Sequence, residues 1–435
     1  FTMLQNENIK YKTLDVVIVG AGFAGMYMLY KLRQLNLDVE ILERASDVGG
    51  TWYWNRYPGA RCDIESIEYS YSFSEELQQD WVWSNRYSDQ SEILSYAGHV
   101  ADRFDLRKDI NFDTSVKSAK YNSDLKKWEI ITDCNKKYFA KFCIMATGTL
   151  SSIKEPDFNG LNKFEGDWYV TGRWPHGGVD LKDKNVAIIG TGSSAVQSIP
   201  VIAEEAKKLT VFQRTPNYSI PANNRPLSKD EIIKSKSNYS KIREKARYTR
   251  AGVGYNQYPE KKILDLTEDE RIEELNKRWG IGGQEVFLSG FTDVGSEQEA
   301  NDFAAEFVRL KIREIVKDPI TAEILTPQNT IGCKRLCADT NYFETYNREN
   351  VELIDINSSP ITTITQEGLS TSEKNYNFDI IIFATGFDAM TGALLSIDIT
   401  GKDNIKLSNK WKDGPRSYLG LCIQGFPNFF TITGP

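Results

Sequence analysis

The chain has 435 residues, of which 40% are apolar and 26% are charged, and its formal net charge is −7. This composition is typical of a globular protein with two or three domains. The charges form no basic patch of the kind that binds nucleic acid, and no apolar run reaches the roughly 18 residues of a membrane span. We therefore expect neither nucleic acid nor a membrane as a partner.

The cysteines and histidines limit the chemistry further. The six cysteines are scattered, with no Cys-x-x-Cys pair, at Cys62, Cys134, Cys143, Cys333, Cys337 and Cys422. Scattered thiols fit a reducing cytoplasm, and we expect Cys62, Cys333 and Cys337 to be buried small side chains and not redox thiols. With only His99 and His176, and no Gly-x-Ser-x-Gly, we expect neither a metal site nor a Ser-His-Asp hydrolase. Phe1–Lys12 is polar and lacks the apolar segment of a signal peptide, which also favours a cytoplasmic protein.

The first motif is a glycine turn between a short apolar run and a helical pattern. Three elements, a strand, a helix and a strand, are predicted at Asp15–Val19, Met26–Gln34 and Asp38–Glu43. Gly20, Gly22 and Gly25 form the turn, where backbone N–H groups can approach a pyrophosphate at a helix N-terminus. Glu43 ends the second strand, where a carboxylate accepts from a ribose hydroxyl. This βαβ unit predicts a dinucleotide site that suits FAD.

The next unusual segment is Gly49–Asp63, which combines glycines, aromatic rings, arginines and a carboxylate. Loops are usually polar, so this density of rings indicates either a flat apolar ligand or a place in the core. We predict that it lines a flavin, and a plain core role for its rings is the alternative.

A second glycine turn repeats the first unit. Its strand, helix and strand are predicted at Asn185–Ile189, Ala195–Ala206 and Leu209–Gln213. The turn is Gly190–Ala195, and the position equivalent to Glu43 holds Gln213, followed by Arg214. An acid at that place would repel a 2′-phosphate, whereas an arginine fork binds one. The second site is therefore predicted to prefer NADPH to NADH, with a solvated surface arginine as the alternative for Arg214.

Each half also closes on an apolar strand that ends in Ala-Thr-Gly, at Phe142–Gly148 and at Asp379–Gly386. Two fingerprints and two such returns predict an α/β fold with two Rossmann-like dinucleotide-binding domains, the second inserted into the first. The predicted FAD-binding domain comprises residues 1–151 and 380–435, and the NADP-binding domain comprises residues 152–226 and 326–379. Residues 227–325 read as a helical insertion in the NADP domain, with a helix at Asp302–Val316 and no chemistry of its own.

Three stretches match longer motifs. The pattern Gly-x-Trp-x4-Tyr/Phe-Pro-Gly-x3-Asp is met by Gly50, Trp52, Tyr57, Pro58, Gly59 and Asp63. The pattern Phe-x-Gly-x3-His-x3-Trp, in the predicted linker before the second fingerprint, is matched by Phe164, Gly166 and Trp174, with Val170 at the histidine position. The third stretch is Gly332–Cys337, followed by Tyr342–Thr345. On these residues the whole chain resembles the type I Baeyer–Villiger monooxygenases, which are class B flavin-dependent monooxygenases.

The resemblance implies a reaction and roles for residues. NADPH would reduce FAD, O2 would form a C4a-peroxide of the flavin, and this would attack a ketone to give an ester or lactone, or oxidise a sulfide. Arg335 is expected to hold a positive charge beside the flavin, and Asp63 to hold Arg335; a purely structural ion pair is the alternative. Lys334 and Arg214 are expected to bind the 2′-phosphate of NADPH. Three aromatic side chains are expected to line the flavin and exclude water: Trp52, Tyr57 and Tyr69.

With the fingerprints, the resemblance gives two predicted sites. The FAD site comprises Gly20, Gly22, Phe23, Gly25, Glu43, Arg44, Gly50, Thr51, Trp52, Tyr57, Asp63, Tyr69 and Val116. The NADP site comprises Thr191, Gly192, Ser193, Ser194, Gln197, Arg214, Thr215, Lys334 and Arg335.

Two departures from the family pattern leave alternatives open. Val170 cannot donate, accept or titrate, which puts the coupling of NADPH oxidation to oxygen insertion in question. Family members continue beyond the last strand, Phe429–Pro435, with a helix facing the flavin ring and a lid-forming segment, so we expect residues beyond Pro435 or a shortened chain. The alternatives are a heteroatom (N/S) flavin monooxygenase and a degenerate FAD- and NADP-binding protein. A monomer is favoured, although the sequence does not specify the oligomeric state.

Overall fold

The computed structural model describes residues 11–249, 252–253 and 260–435. Most of Phe1–Lys12, for which no signal peptide is predicted, lies outside the described residues, as do residues 250–251 and 254–259 of the predicted helical insertion. The chain divides into two compact units, the first formed by Phe1–Asn55, Ile93–Lys154 and Phe387–Pro435, and the second by Arg56–Glu92 and Glu155–Gly386. The predicted assignment of domains to cofactors stays a prediction; residues 56–92 and 380–386, which it gave to the FAD domain, belong to the second unit.

The strands and helices are numbered in chain order. The described strands are β1 Tyr11–Val19, β2 Val39–Leu42, β3 Ile110–Asn111, β4 Val116–Asn122, β5 Lys127–Thr132, β6 Lys137–Met145, β7 Asp167–Val170, β8 Asn185–Ile189, β9 Lys208–Gln213, β10 Ser219–Pro221, β11 Cys337–Asp339, β12 Val351–Asp355, β13 Ile361–Ile364, β14 Gly368–Thr371, β15 Asn375–Asn377, β16 Ile380–Phe383, β17 Asp398–Thr400 and β18 Phe429–Thr431. The described α-helices are α1 Phe23–Arg33, α2 Thr51–Trp54, α3 Glu75–Asp80, α4 Gln90–Arg103, α5 Ser193–Glu205, α6 Lys229–Lys236, α7 Tyr239–Ala246, α8 Glu268–Ile281, α9 Gln284–Leu288, α10 Gln298–Ile315, α11 Pro319–Leu325, α12 Tyr342–Thr345, α13 Gly392–Leu395 and α14 Leu407–Lys410.

The first unit is built on an eight-stranded sheet in the order β17-β4-β5-β6-β1-β2-β3, with β18 also paired to β6. Strand β1 is parallel to both of its neighbours, β2 and β6. Its residues alternate between two buried clusters, Val16 and Ile18 on one side and Val17 and Val19 on the other. A parallel strand covered on both faces reads as a continuous apolar run, which is why the sequence predicted it.

The second unit holds a five-stranded, fully parallel sheet in the order β12-β9-β8-β16-β7. Strand β8 repeats the burial of β1, with Val186 and Ile188 in one core cluster and Ala187 and Ile189 in the other. The predicted strand at Asn185–Ile189 is confirmed. The helix predicted from Ala195 begins earlier, at Ser193, because the second fingerprint glycine is its N-cap.

The two Ala-Thr-Gly returns have the same structural role. Gly20 and Gly190 follow β1 and β8 with φ angles of +104° and +114°, a region that favours glycine. A Cβ on Gly20 would lie 2.5 Å from the carbonyl oxygen of Ala146, and one on Gly190 would lie 2.5 Å from that of Ala384. The strands that end in Ala-Thr-Gly therefore lie against the first glycine of each fingerprint, and this contact requires glycine at both places.

The described part of the predicted insertion consists of helices joined by turns and loops, from α6 to α11. The helix predicted at Asp302–Val316 is confirmed as α10, Gln298–Ile315, which buries one face. Helices α6 and α8 begin with capping boxes, Ser228 with Glu231 and Thr267 with Glu270. Among the described residues, no helix combines the length and the apolar character that crossing a bilayer requires.

Candidate active site

The first fingerprint presents the start of α1 to a ligand. Gly22 is the N-cap of α1 and offers no side chain to the first-turn N–H groups, and the first turn has no acidic residue. These N–H groups and the positive end of the helix favour an anion such as a pyrophosphate. Glu43 is buried, and its carboxylate accepts from the N–H groups of Ala21 at 2.5 Å and Ala45 at 2.8 Å. Burial raises the pKa of Glu43, and its remaining lone pairs can accept further hydrogen bonds.

Two glycine backbones face each other beside this helix start. A Cβ on Gly50 would lie 2.9 Å from the Cα of Gly22, and Gly50 has a φ of +53°. The result is a narrow cradle that side chains would fill. Nearby in the chain, the Arg44 guanidinium lies 4.8 Å from the Trp54 ring centroid and donates to the Ser151 carbonyl oxygen at 2.8 Å. Burial lowers the pKa of Arg44.

The aromatic segment predicted to line a flavin is split between the two units, because the first unit ends at Asn55 and the second resumes at Arg56. In the first unit, Thr51–Trp54 forms the short helix α2, in which Trp52 is buried and Thr51 exposed. Val116 begins strand β4 of the same unit and is half-buried, and Phe23 is the first residue of α1. In the second unit, Tyr69 lies half-buried in a turn, its N–H bonded to the Glu65 carbonyl oxygen at 3.0 Å.

The second fingerprint is more open than the first. Gly192 is the N-cap of α5, and a Cβ built on it would meet no heavy atom within 4 Å. Thr191 donates to the Thr215 carbonyl oxygen at 2.9 Å, which fixes the turn against the segment that follows β9. Ser193 and Ser194 form the first turn of α5, and the Ser194 hydroxyl lies 3.2 Å from that of Thr171. This helix start leaves room for a phosphate to reach the backbone.

Three cations predicted to bind NADP are exposed: Arg214, Lys334 and Arg335. The backbone carbonyl of Arg214 is fixed by the Asn357 amide, which donates to it at 2.5 Å. Gln213, at the position equivalent to Glu43, is buried and donates through its side chain to the Ile324 carbonyl oxygen at 2.7 Å. The neutral Gln213 and the exposed Arg214 give this site a different charge from the one at Glu43.

Gln197 of α5 holds the segment from Tyr57 to Arg61. Its side-chain oxygen accepts from the Tyr57 hydroxyl at 2.9 Å, and its amide donates to the Arg61 carbonyl oxygen at 3.0 Å. A Cβ on Gly59 would clash with the backbone carbonyl oxygen of Gln197, and the φ of Gly59 is +78°. The Tyr-Pro-Gly part of the motif is thus explained by packing against α5, a role the sequence analysis had not assigned to Gln197 or Gly59.

The predicted pair of Asp63 and Arg335 is present within the second unit. The Nε and Nη2 atoms of Arg335 donate to the two carboxylate oxygens of Asp63 at 2.8 and 2.7 Å. The Arg335 side chain is 59% exposed and that of Asp63 is 22% exposed. The hydrogen bond to Asp63 raises the pKa of Arg335. The fork geometry fixes a permanent cation in a defined orientation while leaving its outer face free to meet an anion.

The chain is similar to known proteins over nearly its whole length. A family model described as pyridine nucleotide-disulphide oxidoreductase matches residues 17–258. A steroid monooxygenase bound to NADP superimposes with a TM-score of 0.94 and 50% identity, over 98% of this chain and 81% of that one. A 2-oxo-Δ3-4,5,5-trimethylcyclopentenylacetyl-CoA monooxygenase of Pseudomonas putida is 44% identical over 99% of this chain and 80% of its own length. A Baeyer–Villiger monooxygenase of Pseudooceanicola batsensis is 43% identical, again over 99% and 80%.

The chain belongs to the Baeyer–Villiger monooxygenase family. The two fingerprints of this Baeyer–Villiger monooxygenase fit the two dinucleotides that such an enzyme uses. The Gly22–Gly50 cradle and the buried Glu43 carboxylate suit a pyrophosphate and a ribose hydroxyl. The open approach at Gly192 and the exposed Arg214 suit a pyrophosphate and a 2′-phosphate. The first fingerprint thus carries an acid, as expected for an FAD site, and the second carries a cation, as expected for an NADP site.

The motif predicted to be a linker is an edge strand of this monooxygenase. Val170 ends β7, pairs with Phe383 of β16 and is buried at 3% exposure among apolar side chains. A Cβ on Gly166 would lie 2.5 Å from both the Asp379 carbonyl oxygen and the Phe164 ring, so that motif glycine is required by the groups that pack on it. Trp174 is buried in the main core cluster, with its ring centroid 5.5 Å from that of Tyr169. The valine at the histidine position therefore completes an apolar core.

The cysteine predictions need one correction. All six cysteines are free thiols, and Cys62 and Cys337 are buried as expected. Cys333 is exposed, which contradicts the expectation, because it lies on the exposed turn that also presents Lys334 and Arg335. Burial raises the pKa of Cys337 to about 11 and that of Cys62 still further, so neither is a ready thiolate.

The structure also brings together residues that the sequence analysis missed. The Gln284 amide of α9 donates to the backbone carbonyl oxygen of Asp63 at 3.3 Å. Glu285 follows it, and its charge interacts with Asp63 and Arg335. Both residues lie in the segment predicted to have no chemistry, where helical periodicity gives no sign of which loop a polar side chain will meet. Only the neighbouring Gly282-Gly283 pair hints at a special conformation, with φ angles of +76° and +95°.

Proposed function

We propose that this monooxygenase converts a ketone, with NADPH, a proton and O2, to an ester or lactone, leaving NADP+ and water. The observation that supports this best is the bidentate Asp63–Arg335 pair, which holds an exposed, permanent cation at 2.7–2.8 Å from its carboxylate. Ketone oxidation passes through an oxyanion on the former carbonyl oxygen, and a fixed cation stabilises such a charge.

We assign FAD to the first unit and NADPH to the second. The assignment is supported by the acid at Glu43 in the first fingerprint and by the neutral Gln213 with its cationic neighbour Arg214 in the second. Bound FAD supplies the reduction of O2 and the transfer of one oxygen atom, with hydride from NADPH. The chain supplies the phosphate-binding helix starts of α1 and α5 and the charge at Arg335.

Asp63 is proposed to orient Arg335. Two parallel hydrogen bonds fix the plane of the guanidinium, so that its remaining N–H groups point to one place. The hydrogen bond to Asp63 raises the pKa of Arg335, so the guanidinium stays charged at any working pH. A lysine at this place would be a point charge without the fork.

The preference for NADPH is proposed to depend on Arg214. Replacing Arg214 with alanine is expected to raise the KM for NADPH roughly tenfold or more with little change in kcat, because a charge-assisted contact to the 2′-phosphate is lost. Kinetics with NADH should be unaltered, since NADH lacks that phosphate. Steady-state kinetics with both nucleotides measures the ratio of kcat/KM for NADPH to that for NADH.

Arg313→Ala is the matched control, since Arg313 is an exposed arginine of the second unit whose ion pairs are with surface glutamates of α10 and α11. If Arg214→Ala weakens NADPH and NADH alike, its proposed contact with the 2′-phosphate is incorrect.

The function is tested by following NADPH consumption with a panel of ketones and sulfides under labelled O2. Ester or lactone containing one labelled oxygen atom supports the proposal. Sulfoxide or N-oxide without any ester would instead support the heteroatom monooxygenase, and hydrogen peroxide alone would indicate a degenerate or uncoupled protein.

We also propose a cytoplasmic location, which the six free thiols favour. The predicted monomer stays a prediction.

A further inference from the structure

Glu285 is a buried carboxyl group that the proposed mechanism does not use. It is the second residue of α9, and neither of its carboxylate oxygens has a hydrogen-bond partner among the described residues, although both are shielded from solvent. Buried polar groups are normally paired, so an unpaired carboxyl group calls for a physical reason.

The loop before α9 fixes Glu285 in place. The Arg86 guanidinium donates to the carbonyl oxygens of Ile281 at 2.7 Å and Gly282 at 3.0 Å. The N–H of Gly283 donates to the Pro221 carbonyl oxygen at 2.8 Å. Replacing Gly283 with any larger residue would drive a Cβ into the Tyr87 hydroxyl. With the Gln284 amide on the Asp63 carbonyl oxygen, these contacts hold the start of α9 against the Asp63 loop.

The groups that face Glu285 are mostly acidic or neutral. The titratable groups whose charges interact with it are Cys62, Asp63, Glu65, Tyr87 and Arg335. Glu65 already has its own cation, since Arg86 donates to it at 2.8 Å within a buried pair. Asp63 has Arg335. Glu285 is thus a third carboxyl group in a cluster that contains two cations.

Burial, with the charges of Asp63 and Glu65, raises the pKa of Glu285 to about 7, against opposing contributions from its own backbone N–H group and from Arg335. The group therefore changes its charge within the range where an enzyme of this kind works. Of the two cations of this cluster, Arg335 has the more exposed side chain, at 59% against 8% for Arg86, so its guanidinium is the less enclosed by neighbouring groups.

We propose that Glu285 is a positioning residue for Arg335: as a neutral acid it leaves the guanidinium to Asp63 alone, and as a carboxylate it competes with Asp63 for it. Asp63, Glu285 and Arg335 together have no net charge in the first state and one negative charge in the second. The second state stabilises a developing oxyanion less well. This inference depends on the proposed role of Arg335, and its first tests do not require turnover.

The direct test is titration of the Glu285 carboxyl group, by difference infrared spectroscopy between the wild type and Glu285→Gln. The expected result is a protonated carboxyl band that disappears between about pH 6 and pH 8 in the wild type only. Asp63→Asn should move this titration to lower pH, because it removes a negative neighbour, and Arg335→Met should move it to higher pH. A band that titrates in the ordinary pH range of a carboxyl group, or whose titration pH is unchanged by both substitutions, would overturn the proposal.

Thermal unfolding gives a second readout. The pKa of Glu285 in the folded state is raised from an ordinary value of 4.5, so the stability contributed by its neutral form is complete below pH 4.5 and is lost as the pH rises through 7. The midpoint of the wild type should therefore fall relative to that of Glu285→Gln between about pH 4.5 and pH 7 and then level off. Parallel curves would contradict the assignment.

The functional arm compares ester formation across the same pH range. The rate of ester formation by the wild type should fall roughly tenfold as Glu285 ionises. Glu285→Asp should retain a decrease in rate with rising pH, and Glu285→Gln should lack this decrease. Esters formed with identical pH profiles in all three proteins would refute the role of Glu285 and leave the proposed function intact. Absence of ester from all three would instead count against the proposed function.

Discussion

Replacing Arg335 with alanine is expected to lower the rate of ester formation by about 10²–10³-fold, the usual cost of removing one donor that stabilises an oxyanion. The guanidinium is the group that Asp63 orients through two hydrogen bonds of 2.7–2.8 Å, and no other residue of the exposed 332–335 turn has that geometry. Reduction of the flavin by NADPH under anaerobic conditions should remain, because hydride transfer does not need a stabilised oxyanion. Rapid mixing measures the two rates separately.

Arg225→Ala is the matched control for this experiment. Arg225 forms an equivalent bidentate pair with Glu231, at 2.9 and 2.6 Å, near the start of α6. Its loss should leave both rates near those of the wild type, since exposed pairs contribute little to stability. Ester formation by Arg335→Ala at the wild-type rate would show that the assigned role of Arg335 is wrong.

Two glycines of the second fingerprint are expected to respond in opposite ways to the same substitution. Gly190→Ala should destabilise the fold by about 1–3 kcal/mol or more, because the residue has a φ of +114° and its new methyl group would lie 2.5 Å from the Ala384 carbonyl oxygen. Gly192→Ala should leave stability nearly unchanged, since its backbone is extended and its methyl group would meet nothing within 4 Å. It should nevertheless weaken NADPH binding at least tenfold, because the methyl group occupies the approach of the pyrophosphate.

Thermal unfolding of both variants, followed by titration of NADP+ into the folded protein, separates the two effects. Each variant is the control for the other, since the chemical change is identical and the positions are two residues apart. A Gly192→Ala protein that binds NADP+ as tightly as the wild type would show that the backbone at α5 does not contact the pyrophosphate.

The parallel sheets and both fingerprints could be predicted because their signals are local. A strand buried on both faces is apolar throughout, as β1 and β8 are, and the turn after it needs glycine for reasons of φ and space. The helix starts were predicted late, at Met26 and Ala195 instead of Phe23 and Ser193, because an N-cap glycine has no side chain that marks the boundary. The last strand was also predicted, as β18, but shorter than expected.

The candidate site was predictable only where a motif spans it. The long-range pair of Asp63 and Arg335 was inferred from the family resemblance, and hydrophobic periodicity alone gives no such pairing. Glu285 and Gln284 were missed because they belong to no motif and reach the Asp63 loop only through the tertiary fold. Gln197 was assigned to the nucleotide, whereas the hydrogen bonds seen for its amide hold Tyr57 and Arg61. The residue roles in catalysis stay predictions.

The way the first sheet is completed has a consequence for synthesis on the ribosome. Strand β6 pairs with β5 along its first half and with β18 along its second. The β6 residue Cys143 therefore gains its β18 partner, Phe429, only after that later segment has been synthesised. The indole N–H of the fully buried Trp128 likewise donates to the Pro427 carbonyl oxygen at 2.8 Å. Every segment of the second unit emerges before these partners do. A nascent chain whose residues up to about 390 have emerged from the ribosome should therefore have a protease-resistant second unit while the first remains unfinished, reversing the usual N-terminal-first order.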